Sequence, residues 1–99
     1  MKETEQIALN RFAKEMSLKL LKRKKRYKEF GWRDPEYKSL QDLKTNLIDE
    51  VFELVFAKTD SEIKKELIDV SNSAFIWFDR LEWDSLRIDK KKKQYENKV

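Results

Sequence analysis

Gly31 and Pro35 are the only glycine and the only proline of the chain, and both fall in one stretch, GWRDPEY (31–37). Residues that end helices or redirect the backbone are therefore concentrated at a single point. The rest of the 99 residues must form few, long elements. Lys, Glu and Leu are abundant, and apolar residues recur at helical spacing. The expectation is an all-α fold, a single domain over 1–99, with 39% hydrophobic residues and much surface left exposed when one chain folds alone.

The periodicity predicts a first helix over about 3–30, with Ala8, Phe12, Met16, Leu20, Tyr27 and Phe30 in one stripe. The run KLLKRKKRYK (19–28) covers its other faces. Gly31 is placed to cap that helix, and Asp34-Pro35 reads as a new start. A second helix is expected over about 38–57. TDSE (59–62) then reads as a capping box, Thr59 reaching the third position and Glu62 reaching back. A third helix should run to about Leu81, and a fourth, Lys-rich one should begin near Asp84 and end in a basic tail, DKKKKQYENKV (89–99). The architecture expected is a bundle built on a helical hairpin, with four helices per chain.

The chain has no Cys and no His. Disulfides, thiolate or imidazole zinc sites, Ser/His or Cys nucleophiles and a histidine general base are all excluded. A metal would have to be held by oxygen, which selects a hard cation such as Mg²⁺ or Mn²⁺. No apolar run approaches a membrane span and no signal-peptide core is present, so the expected location is cytoplasmic. The net charge of +4 favours anionic partners without naming one.

LIDEVFELVF (47–56) carries seven apolar residues together with Asp49, Glu50 and Glu53. With the apolar arc of the second helix centred among Leu40, Leu47, Val51 and Val55, Glu50 and Glu53 lie roughly 90° and 150° to one side. With the third helix centred on Ile63, Leu67, Val70, Ala74, Trp77 and Leu81, Glu66 and Asp69 fall at nearly the same offsets. A short connection forces the two helices antiparallel, so equal offsets bring both pairs to one side of the seam. Both pairs also lie about 12 Å from the turn at 1.5 Å per residue. Four carboxylates converge, and four like charges repel unless something positive joins them. Lys64 and Lys65 point elsewhere, so a divalent cation is the expected neutraliser.

DEVFE (49–53) followed by ELID (66–69) resembles the paired acidic motif, EExxE then ExxD, of the MazG-like all-α nucleoside triphosphate pyrophosphohydrolases. The GW at 31–32, the run DVSNSAFIWFDRL (69–81) and basic residues near the end extend the resemblance over roughly 8–95. It implies a Mg²⁺ enzyme that cleaves a nucleoside triphosphate between its α and β phosphates, releasing a monophosphate and pyrophosphate in nucleotide-pool house-cleaning. By position Glu50, Glu53, Glu66 and Asp69 would be the metal ligands. Glu50 and Glu53 carry the catalytic role, Glu53 by preference orienting or deprotonating water. The first Glu of the motif is Asp49 here, and its angle faces away from the cleft. The resemblance also implies dimers or dimers of dimers, in which hairpins from two chains complete a four-helix bundle.

Further substrate contacts are expected at Trp32, which stacks on a base or plugs the bundle, and at Asn72, which bonds a base or sugar or is solvated. Arg23 interrupts the first stripe and either snorkels or reaches a carboxylate or a phosphate. Lys28, Lys92 and Lys93 are placed to meet the outer phosphates, or are solvated. Ile48, Phe52, Phe56, Ile68 and Phe75 widen the apolar arcs away from the acids, which points to a homo-oligomer. The competing readings are a small basic nucleic-acid-binding module, carried by KLLKRKKRYK and DKKKK, and a protein-interaction scaffold without catalysis. The acid cluster argues against a phosphate-backbone binder, so nucleic acid is the less favoured partner.

Overall fold

The computed structural model describes residues 3–24, 31–33 and 38–96, the side chains of 23–24 and 87–96 excepted. Three α-helices, α1 (Glu5–Lys24), α2 (Leu40–Phe56) and α3 (Asp60–Glu96), are joined by a 3-10 turn, Gly31–Arg33. No strand occurs among the described residues, and no helix among them is long and apolar enough to cross a membrane.

The helix starts follow from local chemistry. At α2 the Asp42 N–H donates to Ser39 Oγ (3.1 Å) and the Ser39 N–H donates to Asp42 Oδ2 (3.3 Å), a reciprocal capping box. At α3 the Glu62 N–H donates to Thr59 Oγ1 (3.1 Å). The Glu62 carboxylate reaches one residue further back than TDSE suggests, accepting from the Lys58 N–H at 3.2 Å. Gly31 adopts φ +53°, the left-handed conformation expected of a capping glycine. The expected C-terminal part of helix 1 beyond Lys24 lies outside the described residues.

The expected break between a third and a fourth helix is absent: α3 runs unbroken through Leu81 and Asp84. No Gly or Pro interrupts this segment. Asp84, read from sequence as a fresh start, instead forms an ion pair with Arg80 one turn earlier, Nε to Oδ1 at 3.5 Å.

The faces turned inward also differ from the expectation. On α2 the sheltered row is Leu43, Leu47, Glu50 and Leu54. On α3 it is Ile63, Glu66, Val70, Ser73, Trp77 and Arg80, spaced alternately by three and four residues as an antiparallel helical seam requires. A second sheltered row, Asp69, Asn72, Ile76, Asp79 and Trp83, faces α1 and the 3-10 turn. Leu67, Ala74 and Leu81, expected at the centre of the arc, are exposed. The rotation has a physical cause, because the two rows carry groups that need hydrogen-bond partners and the rest of the chain supplies them. Asn72 Nδ2 donates to the Met16 carbonyl at 3.3 Å, and Arg80 Nη1 donates to the carbonyls of Lys38 (3.0 Å) and Trp32 (3.3 Å).

Asp79 anchors the 3-10 turn. Its Oδ2 accepts from Trp32 Nε1 and Arg33 Nε, both at 2.8 Å, and its Oδ1 accepts from Arg33 Nη2 at 2.9 Å. These bonds hold the Asp79 carboxyl below its ordinary range. The Trp32 ring meets Phe75 edge-on at 6.0 Å, and the Arg33 guanidinium lies 4.6 Å from the Trp83 ring. Asp79→Ala leaves Trp32 Nε1 without its acceptor and is expected to cost about 2 kcal/mol. The measurement is a urea unfolding midpoint read by tryptophan fluorescence. A midpoint equal to that of the unsubstituted protein shows the clasp contributes nothing.

Candidate metal centre

The antiparallel packing of α2 on α3 brings Glu50, Glu53 and Glu66 together, with one carboxylate oxygen from each lying within 4.8 Å of the others. Glu50 and Glu66 occupy seam positions of their helices and are half-buried, whereas Glu53 stands at the rim and is exposed. Glu50 is thus closer to the seam than the angular count implied. Oε2 of Glu50 and Oε2 of Glu66 are buried and have no hydrogen-bond donor among the described residues. Asp49 is exposed, as its angle required.

The charges act on one another. The Glu50 carboxyl is pushed from its ordinary 4.5 up to about 7, first by burial, then by the negative charge of Glu53 and Asp69, with Glu53 also in hydrogen-bonding reach and Glu66 adding further repulsion. The Glu66 carboxyl is raised in the same direction by desolvation, Glu53 and Asp69, against a smaller opposing effect of Lys65. Such a cluster of half-buried acids is electrostatically uphill as it stands.

Asp69 belongs to the same field but has a partner. Lys19 Nζ donates to Asp69 Oδ1 at 2.6 Å, across from α1. Lys19 is thus a cation of the chain that joins the acids, one not singled out from the sequence. Lys19 lies only about 40° from the centre of the α1 stripe, so the sequence carried a signal for it, hidden within a run of basic residues. Lys64 and Lys65 face away from the acids, toward a groove beside α1.

The other expected contacts divide. Trp32 is half-buried against Phe75 and Asp79, roughly ten residues and about 15 Å along α3 from Asp69. Asn72 is 1% exposed, and its side chain lies in the α1–α3 contact with Oδ1 lacking a partner among the described residues. Lys28 and the side chains of Arg23, Lys92 and Lys93 lie outside the described residues. No protein-family model, curated protein or solved structure matches the chain.

A site of four acids must leave a mark on stability. Folded Glu50 holds its proton up to about pH 7, whereas unfolded Glu50 releases it near 4.5. The folded state binds more protons in that window, so its advantage is full below pH 4.5 and is lost as pH rises through 7. With EDTA present, urea unfolding should show stability falling between pH 5 and 8 by on the order of 1 kcal/mol, after discounting for solvent screening. Glu50→Gln should flatten that slope and exceed the unsubstituted protein in stability at pH 8. A variant less stable at pH 8 would show the carboxylate to be structural.

Proposed function

We propose that the protein is a Mg²⁺-dependent nucleoside triphosphate pyrophosphohydrolase, cleaving a ribo- or deoxyribonucleotide between the α and β phosphates. The observation that carries this reading is the convergence of Glu50, Glu53 and Glu66, with two buried carboxylate oxygens lacking donors among the described residues. A donor set made wholly of carboxylate oxygen suits Mg²⁺ or Mn²⁺ and disfavours softer metals. The order of DEVFE and ELID on two antiparallel helices, similar to the MazG-like pattern, supports the choice of reaction.

Glu50 and Glu66 would hold the ion from opposite helices, with Asp69 joining them by exchanging its bond to Lys19. A bound Mg²⁺ supplies neutralisation of phosphate charge and a lowered pKa for water. Glu53, the exposed acid, would orient the attacking water and accept its proton as the water oxygen bonds to the α-phosphorus. The anhydride bond then breaks, pyrophosphate leaves, and the monophosphate remains. No histidine or cysteine is needed, because phosphoryl transfer is governed by positioning and charge.

Product analysis over a panel of NTPs and dNTPs tests this. Monophosphate and pyrophosphate should form with Mg²⁺ and not with EDTA. Glu50→Gln and Glu66→Gln should each lower turnover by about 100-fold or more, ~2.7 kcal/mol of barrier. Folded protein that turns over no nucleotide, yet binds RNA or DNA with affinity falling steeply with salt, would overturn the proposal in favour of the nucleic-acid reading.

A second copy of the chain is proposed to cover the open apolar face. Val51, Phe52, Val55 and Phe56 of α2 and Leu67, Phe78 and Leu81 of α3 are all exposed. Leu43 and Ile76 are the only large apolar side chains fully buried among the described residues. The radius of gyration is 17.3 Å, against about 13 Å for a compact chain of this length. Sedimentation equilibrium at micromolar concentration should give a dimer or larger, and Phe52→Lys should shift it toward the 12.1 kDa monomer. A 12.1 kDa species for the unsubstituted chain would sink the proposal.

A further inference from the structure

A groove of about 620 Å³ lies between α1 and the first turns of α3. Its size falls within the roughly 300–1,000 Å³ of small-molecule sites. None of the four carboxylates of the acid patch lines it, and no residue of α2 does. Its apolar members are Ala8 and Phe12 from α1 and Leu67 and Ile68 from α3. Its charged members are Arg11, Lys19, Lys64 and Lys65, against the single carboxylate Glu15. Four cations and one acid leave three positive charges around an apolar floor.

The cations are not equally committed. Arg11 pairs with Glu3, and Lys19 pairs with Asp69. Lys64 and Lys65 are exposed and make no ion pair with the described residues. They line the groove from α3, while Lys19 and Arg11 line it from α1. Several converging donors suit a group with more than one anionic oxygen better than a single carboxylate. The Phe12 ring with Leu67 and Ile68 offers an apolar body its contact surface.

We infer that this groove binds a small organic phosphate whose body is apolar or aromatic. A small ligand is favoured over a macromolecular partner because these groups line a cleft of small-molecule volume, about 620 Å³. The inference is independent of what binds at Glu50, Glu53 and Glu66. It does share Lys19 with that region, so an anion in the groove and Asp69 draw on the same ammonium group.

Calorimetric titration with 1-naphthyl phosphate, in EDTA and at low salt, tests the inference without any contribution from a cation at the acids. Binding should be saturable. It should weaken about tenfold or more in the Lys64→Glu/Lys65→Glu protein, and likewise in 0.5 M NaCl, where exposed charges are screened over a few ångströms. Ala8→Asp, at an exposed groove position on α1 outside the face assigned to the second copy, should weaken it as well, and thermal melts of both variants should match the unsubstituted protein. Inorganic phosphate and 1-naphthol should each bind more weakly than the probe. Competition by uridine monophosphate or by hexyl phosphate then tells a nucleotide from an alkyl phosphate. Affinity unchanged in the folded double variant, or 1-naphthol binding as tightly as its phosphate, would overturn the assignment.

Discussion

The structure depends on how α3 is rotated about its own axis, and polar groups set that rotation. Asp69, Asn72 and Asp79 lie on one row of the helix, and each finds its partner on α1 or the 3-10 turn: Lys19, the Met16 carbonyl, and Trp32 with Arg33. Arg80 on the neighbouring row closes the carbonyls of Trp32 and Lys38. A polar group withdrawn from water without a partner costs ~1–3 kcal/mol, so a different rotation would forfeit several such bonds together. Satisfying this row is what turns Leu67, Phe78 and Leu81 outward. The open apolar face is the consequence of a polar inner one.

The same rotation brings Glu66 into the seam opposite Glu50. Burial and mutual repulsion raise both carboxyls, and Lys19 relieves only the Asp69 end of the cluster. Folding therefore holds together charges that would separate if released. A residue set kept at the expense of stability is the usual sign of a site whose ligand restores the balance. In the proposed reading a divalent cation would do so, beside the two carboxylate oxygens that lack donors among the described residues.

Scale points the same way for the assembly. An α3 of 37 residues is about 55 Å long, and the 17 residues of α2 can cover less than half of it. Long antiparallel helices with an exposed stripe of Val, Leu and Phe have the form of one half of a four-helix bundle, which is the basis of the proposed assembly. A second chain would supply the missing half, with the acids on the face turned away from it.

Much of this was legible in the residues. The scarcity of glycine and proline determined long helices. Thr59 and Gly31 at the caps marked where helices begin and turn, and the short connection 57–59 determined that α2 and α3 run antiparallel. From these alone followed the meeting of Glu50, Glu53 and Glu66, because spacing and chain direction suffice for helices joined by a tight turn. Contacts between elements distant in sequence were not legible in that way. Only the tertiary structure decided that Asp69 belongs to Lys19, that Trp32 and Arg33 close on Asp79, that α3 continues through Asp84, and that polar residues share its inner rows with apolar ones. Periodicity reports which side chains share a face of a helix. Which face turns inward is settled by the hydrogen-bond partners the rest of the chain brings to it.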